Sequence, residues 1–192
     1  MRMEIGEEEG RELLGAAREA IEYHFEFGEA PSSLKGVDLD KYSEPRGVFV
    51  TLKRNGQLRG CIGFPLPVFP LGIAVAKSAC AAAFEDYRFP SLTRGELDEV
   101  EIELSILSVP GKVEVASPEE YLQKIKVGRD GLIIRCMGQT GLLLPQVPVE
   151  LGWGVREYLE GLCNKAGLQK DAWKEAGAEI EAFTARIFSE GK

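Results

Sequence analysis

The residues best suited to chemistry lie in one short stretch, Leu58-Arg59-Gly60-Cys61-Ile62-Gly63. A cysteine stands there between two glycines and two residues from an arginine. A thiolate is a strong nucleophile, and a nearby guanidinium favours the thiolate over the thiol. This pattern predicts that Cys61 is a nucleophile or a ligand-contacting thiol. A small buried residue in a tightly packed strand is the equal alternative, because free cysteine is among the most buried residue types.

Residues two apart on a β-strand share a face, so Arg59, Cys61 and Gly63 are predicted to point the same way. Arg59 would then favour the thiolate and bind an anionic small molecule. Gly60 and Gly63 would let that ligand approach the backbone closely. We therefore predict ligand-binding roles for all three residues beside Cys61.

Two carboxylates are candidates for the proton acceptor that a nucleophilic thiol needs. Glu103 shares the polar face of an alternating segment with Glu101, and Asp86 lies in a loop two residues before Arg88. A solvated sheet face is the simpler explanation for the two glutamates. Arg88 would orient a substrate or simply pair with Asp86. These readings predict catalytic roles for Glu103 and Asp86 and a ligand-binding role for Arg88.

Other polar residues add little to this site. Gln146 lies in a proline-flanked loop and is predicted to face the same cleft as Cys61. His24, the only histidine, falls on the apolar face of a helix, where a packed residue is the favoured reading. Four widely spaced cysteines without a C-x-x-C pair make a structural zinc site improbable, so no metal or cofactor is predicted.

Composition restricts the class of protein. With 192 residues and 44% apolar residues, the chain can bury one sizeable core or two small ones. A net charge of −8 argues against broad nucleic-acid binding, although nucleic acid stays among the alternatives. The segment from Arg46 to Phe84 contains basic residues but no acidic residue. This pattern predicts an anion-binding face or an ordinary solvated surface. No membrane span or signal peptide is recognisable, so a cytoplasmic protein is expected.

The order of elements predicts an α+β fold with a mainly antiparallel sheet. Helical periodicity covers Glu7 to about Phe27, and an alanine-rich helix is expected from Leu71 to Phe84. Asn55-Gly56 is a strong hairpin signal between two strands, because both turn positions favour positive φ. Val100 to Ser108 alternates as a half-buried strand. This order is not a βαβ alternation, so parallel strands are not expected.

The second half repeats the order of the first. Leu132 to Met137 is predicted as a strand, residues 138–141 as a turn and residues 142–144 as the return strand. A helix near Val155 to Ala166 and a last strand near Ile180 to Phe188 follow. Hairpin, proline loop, helix and strand thus occur twice. We interpret this as a degenerate internal duplication within one domain, residues 1–192, of two packed lobes.

The motifs resemble those of the AMMECR domain family, named after the Alport syndrome, mental retardation, midface hypoplasia and elliptocytosis chromosomal region. The hexapeptide at 58–63 is similar to the signature of that family. The resemblance extends over nearly the whole chain. Further motifs similar to those of the family are Asp86-x-Arg88-Phe89-Pro90, residues 101–108, Gly131-Leu132-Ile133-Ile134, residues 141–147, Trp153, residues 163–168 and Trp173. Tyr87 and Ser91 stand where proline is expected in many members.

The resemblance implies an α+β fold of two interleaved lobes and no established reaction. In prokaryotes such proteins are associated with a Memo-like protein and a radical-SAM protein, which implies a redox or modification system. Two functions are therefore expected to compete. One is a ligand-binding or catalytic site around Cys61 between the lobes. The other is a non-enzymatic module that binds an anionic ligand, nucleic acid or a partner protein, with the hexapeptide serving only the architecture.

Overall fold

The structure is a computed structural model that describes residues 5–34 and 37–191, and it divides into two units. The first unit runs to Leu107 and resumes at Arg186, and the second is Ser108–Ala185. Each unit contains a four-stranded sheet and helices, and the strand pairs with assigned register are antiparallel. The predicted α+β class is therefore confirmed.

In the described residues of the first unit, two long α-helices form most of the helical layer. Helix α1 (Glu7–Phe27) begins where the Glu9 side chain accepts a hydrogen bond from the Gly6 amide at 2.9 Å, and it ends at Gly28 with φ 78°. Helix α2 (Leu71–Phe84) has the predicted bounds and is buried along most of its length. The remaining helices are α3 (Arg94–Leu97) and a 3-10 turn at Leu39–Tyr42.

The sheet of the first unit contains β1 (Val48–Arg54), β2 (Gln57–Phe64), β3 (Val100–Leu107) and β8 (Ala185–Ser189). Their order across the sheet is β2-β1-β3-β8. The predicted turn at Asn55-Gly56 joins β1 to β2, with φ of 52° and 74°. The inner face of β1 is apolar and fully buried in a core shared with both long helices: Val48, Val50, Leu52, Leu13, Ile21, Leu71, Val75. Because β2 is the first strand in the order of the sheet, it lies at an edge.

Helix α2 lies unusually close to the edge strand because β2 has no side chain at the point of contact. A Cβ atom on Gly60 would come within 2.1 Å of the Ala82 carbonyl oxygen. Alanine-rich helices permit such approaches, since neither surface carries bulky groups. The helix thereby fixes the hairpin next to Cys61.

The second unit repeats this arrangement. Its sheet has the order β4-β7-β5-β6, so that again the return strand of a hairpin is an edge. The strands are β4 (Gly111–Lys112), β5 (Gly131–Cys136), β6 (Gln139–Leu143) and β7 (Glu179–Phe183). The helices are α4 (Tyr121–Lys124), α5 (Gln146–Glu150) and α6 (Val155–Lys165), with 3-10 turns at Pro118–Glu120 and Ala172–Lys174. Their core includes the largest fully buried side chains of this unit, Trp173 and Tyr158.

The second hairpin turns two residues earlier than the sequence predicted. Met137 and Gly138 have positive φ, 50° and 77°, and β6 already begins at Gln139. Gly141 was predicted in the turn, yet it lies inside β6, where an added Cβ would be 2.8 Å from the amide nitrogen of Ala166, the C-cap residue of α6. Its absent side chain serves the contact between helix and strand, as that of Gly60 does in the first unit.

The predicted last strand, Ile180 to Phe188, is also corrected. It is two strands in different sheets, because β7 joins the second sheet and β8 the first. Between them, the Thr184 carbonyl accepts from the Ser108 amide at 2.8 Å, and the Thr184 amide donates to the Ser108 hydroxyl at 3.0 Å. The chain likewise passes from β3 in the first sheet to β4 in the second. These two crossings interleave the units.

Replacing Gly60 by alanine is expected to lower the free energy of unfolding by about 1–3 kcal/mol, because the new methyl group overlaps the Ala82 carbonyl. Gly15→Ala is the control. It lies inside α1 with nothing within 4 Å of the added Cβ, so it should stabilise the protein by about 0.5–1 kcal/mol. Urea denaturation measures both. A Gly60→Ala protein as stable as the wild type would contradict the close contact.

Candidate functional site

Cys61 lies in the edge strand β2, on the sheet face that α2 does not cover. The strand register places it opposite Thr51 of β1, and Thr51 opposite Glu103 of β3, so a thiol, a hydroxyl and a carboxylate form one row across the sheet. The Thr51 hydroxyl donates a hydrogen bond to the Cys61 Sγ at 3.3 Å. A donor to sulfur stabilises the thiolate more than the thiol. This contact is the first chemical feature of the site.

Solvent reaches Cys61 but not the other three cysteines. Cys61 is half-buried, whereas Cys80, Cys136 and Cys163 are buried, as the sequence predicted for the latter three. Burial raises the pKa of Cys80 to about 12 and also raises the pKa of Cys163. Those two thiols are therefore protonated at neutral pH and poorly reactive.

Asp86 and Arg88 hold the backbone of Cys61 on the open side of the strand. The Cys61 amide donates to Asp86 Oδ2 at 2.9 Å, and Arg88 donates to the Cys61 carbonyl at 3.3 Å. Arg88 also donates to both carboxylate oxygens of Asp86, at 2.9 and 2.7 Å. These two side chains thus satisfy the groups that a neighbouring strand would otherwise pair. The loop after α2 covers the edge of the sheet at Cys61.

The electrostatics of this contact are strong. Asp86 is only 4% exposed, and its hydrogen bonds with Arg88, together with the amide of Cys61, hold the pKa of its carboxyl well below the usual range. The pKa of Arg88 is raised, first by Asp86 and to a smaller extent by Cys61. Arg88 is therefore a cation held in place by the buried Asp86 carboxylate.

Arg59 has a different partner from the one that the sequence suggested. Leu52 of β1 pairs with Gly60 and Lys53 with Leu58, so Arg59 is the extra residue of a β-bulge and the regular alternation is interrupted there. Its guanidinium donates to both oxygens of Glu96, at 3.0 and 3.1 Å, and to the Pro90 carbonyl at 3.0 Å. These bonds lower the pKa of Glu96 to about 2, aided by the Thr93 amide. The predicted roles of Arg59 in tuning the thiol and binding an anion stay predictions.

The predicted anion-binding face carries little free positive charge. Four of the five basic residues between Arg46 and Phe84 pair with carboxylates from outside that stretch: Arg46 with Glu44, Lys53 with Glu103, Arg54 with Glu96 and Glu99, and Arg59 with Glu96. The fifth, Lys77, lies 5.5 Å from the centre of the Phe69 ring. A run of basic residues in sequence is therefore a set of ion pairs in the structure.

The two glycines of the motif have structural reasons of their own. Gly60 makes room for α2, as described above. An added Cβ on Gly63 would come within 2.2 Å of the Val48 carbonyl oxygen and 2.7 Å of the Phe49 ring. Protein atoms occupy the space that was predicted to admit a ligand on these sides. Ligand binding at Gly60 and Gly63 stays a prediction without support from this packing.

The remaining predicted residues lie as follows. Glu103, the predicted proton acceptor, bonds to Lys53 at 2.7 Å and shares the row of Cys61. Gln146 was predicted to lie in a loop but is the first residue of α5 in the second unit, and its predicted proximity to Cys61 stays a prediction. His24 is packed on its helix as expected, with its ring stacked 4.0 Å from that of Phe84.

Sequence reasoning missed two contributors to this region, Thr51 and Glu96. A regular hairpin around Asn55-Gly56 would not place Thr51 opposite Cys61. The bulge at Arg59 shifts the register by one residue and brings the two together, and the sequence does not indicate that bulge. Thr93 and Glu96 have the spacing of a capping box in the sequence, and in the structure Glu96 accepts from the Thr93 amide at 3.0 Å. Its second role, holding Arg59, depends on the tertiary fold.

Neither a metal centre nor a membrane span is found in the described part of the chain. Within residues 5–34 and 37–191, no three His, Cys, Asp or Glu side chains are grouped so that they could hold a metal ion. Over the same residues, no helix is long and apolar enough to cross a membrane.

Comparisons with known proteins agree on one family. The AMMECR1 family model matches residues 14–188. Protein MK0488 of Methanopyrus kandleri is 46% identical over 186 residues, covering 95% of this chain and 89% of that protein. Protein MJ0810 of Methanocaldococcus jannaschii is 52% identical over 151 residues, covering 78% and 75% respectively. The crystal structure of the uncharacterized protein PH0010 from Pyrococcus horikoshii is similar, with a TM-score of 0.79 at 44% identity, covering 96% of this chain and 93% of that one.

Asp86→Asn is expected to destabilise the protein by about 1–3 kcal/mol at pH 7, because a buried, hydrogen-bonded charge is lost. Folding lowers the pKa of Asp86 below its ordinary value of 3.8, so its contribution is complete above about pH 4 and is lost as the pH falls towards the folded-state pKa. The difference in unfolding free energy between wild type and variant should therefore narrow below pH 4. Asp171→Asn, at an exposed aspartate, should change stability by less than about 0.5 kcal/mol. A gap that does not depend on pH would contradict the role of the charge.

Proposed function

The chain belongs to the AMMECR1 family, and from this premise we propose that its functional group is the Cys61 thiol, at a ligand-binding or catalytic site on the face of the first sheet opposite α2. The observation that carries the proposal is the environment of this thiol. Cys61 is the only one of the four cysteines that is not buried, and a hydroxyl donates to its sulfur at 3.3 Å. Accessibility and a donor to the sulfur are what a reactive thiolate needs.

The chemistry that fits is nucleophilic or redox chemistry of a thiolate. Thr51 donates a hydrogen bond to the sulfur, and Arg88 donates to the backbone carbonyl of the same residue. Arg88 is 44% exposed and has donors to spare, so it can also contact an anionic small molecule. Asp86 is fully engaged with Arg88 and Cys61 and holds both in place. We assign it this positioning role rather than the role of a proton acceptor.

This activity would belong to a redox or modification system, in which a Memo-like protein and a radical-SAM protein are the proposed partners. A thiolate that attacks a substrate disulfide fits a system of that kind: a mixed disulfide with Cys61 forms, the substrate S–S bond breaks, and its second sulfur leaves as a thiolate. The protein would act there in the cytoplasm.

A second candidate function is a binding module without catalysis. One observation favours it: Gly60, Gly63, Asp86 and Arg88 all have contacts that explain them as architecture of the hairpin. In that case the exposed part of the site binds an anionic ligand, nucleic acid or a partner protein, and Cys61 only fills a place in the strand.

Brief treatment of the native protein with iodoacetamide tests the thiolate function. Cys61 should be alkylated first, at least tenfold faster than Cys80, Cys136 or Cys163, because burial protects the others. Peptide mapping by mass spectrometry after timed quenching gives the four rates. Cys61→Ser, in which the remaining three thiols should stay unmodified, is the control for local opening. If another cysteine reacts first, the thiolate function is wrong and the binding module becomes the better proposal.

A further inference from the structure

The hairpins of the two units can be aligned residue by residue, starting from the glycine that contacts a helix in each unit. Gly60 pairs with Leu52 in the first hairpin, and Gly141 pairs with Ile134 in the second. One step further from each turn, Thr51 pairs with Cys61 in the first unit. The corresponding pair in the second unit is Ile133 with Leu142.

The alignment extends to the third strand and its ion pairs. Thr51 is opposite Glu103, and Ile133 is opposite Glu181. Lys53 bonds to Glu103 at 2.7 Å, and Arg135, at the equivalent position, bonds to Glu181 at 3.2 Å. A basic residue and a glutamate therefore meet at the same place in both sheets, although only one sheet contains the cysteine.

A second glutamate on β3 and on β7 also makes equivalent contacts in the two units. Glu101 accepts a hydrogen bond from Ser189 of β8, and Glu179 forms an ion pair with Lys112 of β4 at 2.9 Å. In both units this carboxylate contacts the fourth strand of the sheet. What the two units share is thus a scaffold, and it includes Glu103.

The row at Cys61 is where the units differ. Ile133 is fully buried, so an apolar pair satisfies the fold at this position in the second unit. The first unit instead has a hydroxyl bonded to a thiol, held from the strand edge by Asp86 and Arg88. Strand pairing by itself therefore does not require a polar pair at this position.

From this comparison we propose that Thr51 is the positioning residue of the Cys61 site, that the site exists in the first unit only, and that the Lys53–Glu103 pair beside it is scaffold. The inference rests on the proposed function of Cys61. It deepens that function by naming the group that orients the sulfur. It also removes Glu103 from the reacting groups. The hydrogen bond from Thr51 fixes the Cys61 side chain on its strand and stabilises the thiolate.

The test is the pH profile of Cys61 alkylation in matched variants. Thr51→Val, which removes only the hydroxyl, should move the midpoint upwards by roughly half a pH unit or more, because the thiolate loses its donor. Thr51→Ser should restore the wild-type midpoint. Glu103→Gln, alone or with Lys53→Met, should leave the midpoint unchanged.

A stability measurement supplies the internal control. The double variants Lys53→Met/Glu103→Gln and Arg135→Met/Glu181→Gln should lower Tm by similar amounts, about 2–4 °C or less, since both remove a surface ion pair of the same scaffold. A midpoint that moves with Glu103→Gln but not with Thr51→Val overturns the inference, while Cys61 stays the reactive thiol. A Cys61 that does not react ahead of the other cysteines overturns the proposed function itself, and the inference with it.

Discussion

In each unit a helix lies so close to a β-hairpin that the strand beneath it must have no side chain at the point of contact. Gly60 faces the Ala82 carbonyl of α2, and Gly141 faces the last turn of α6. The cost of any side chain there is steric, because the nearest atoms belong to helix backbone that cannot move without shifting the whole helix. This contact sets the height of the helix over the sheet, and the position of the loop that follows the helix depends on it.

That loop has a particular task in the first unit. An edge strand presents unpaired amide and carbonyl groups, which natural proteins cover or block. Here Asp86 and Arg88 take the place of the missing strand at Cys61, and Arg59 reaches the Pro90 carbonyl further along the same loop. The charged residues near the cysteine are thus engaged with the backbone and with each other. Their arrangement is costly to disturb, because the Asp86 carboxylate is buried.

The site and its scaffold can be separated because the fold occurs twice. Ion pairs at equivalent positions, Lys53–Glu103 and Arg135–Glu181, stabilise both sheets in the same way. The pair Thr51–Cys61 has no polar equivalent in the second unit. A hydroxyl–thiol contact at a half-buried position contributes little to stability compared with an apolar pair. This difference supports the proposal that Thr51 positions the Cys61 sulfur.

The sequence by itself determined the elements that depend on local interactions. Helix α2 has the predicted bounds, the capping pair Thr93 and Glu96 is present, and Asn55-Gly56 makes the first turn, since periodicity, capping and positive φ are properties of neighbouring residues. The tertiary structure decided what distant residues share. In the structure Gly141 lies inside a strand, and the predicted last strand is divided between two sheets. Arg59 forms a bulge, and its guanidinium pairs with Glu96. The tertiary structure also joined Thr51 to Cys61, because strand register and helix packing are set by contacts between segments that no local pattern contains.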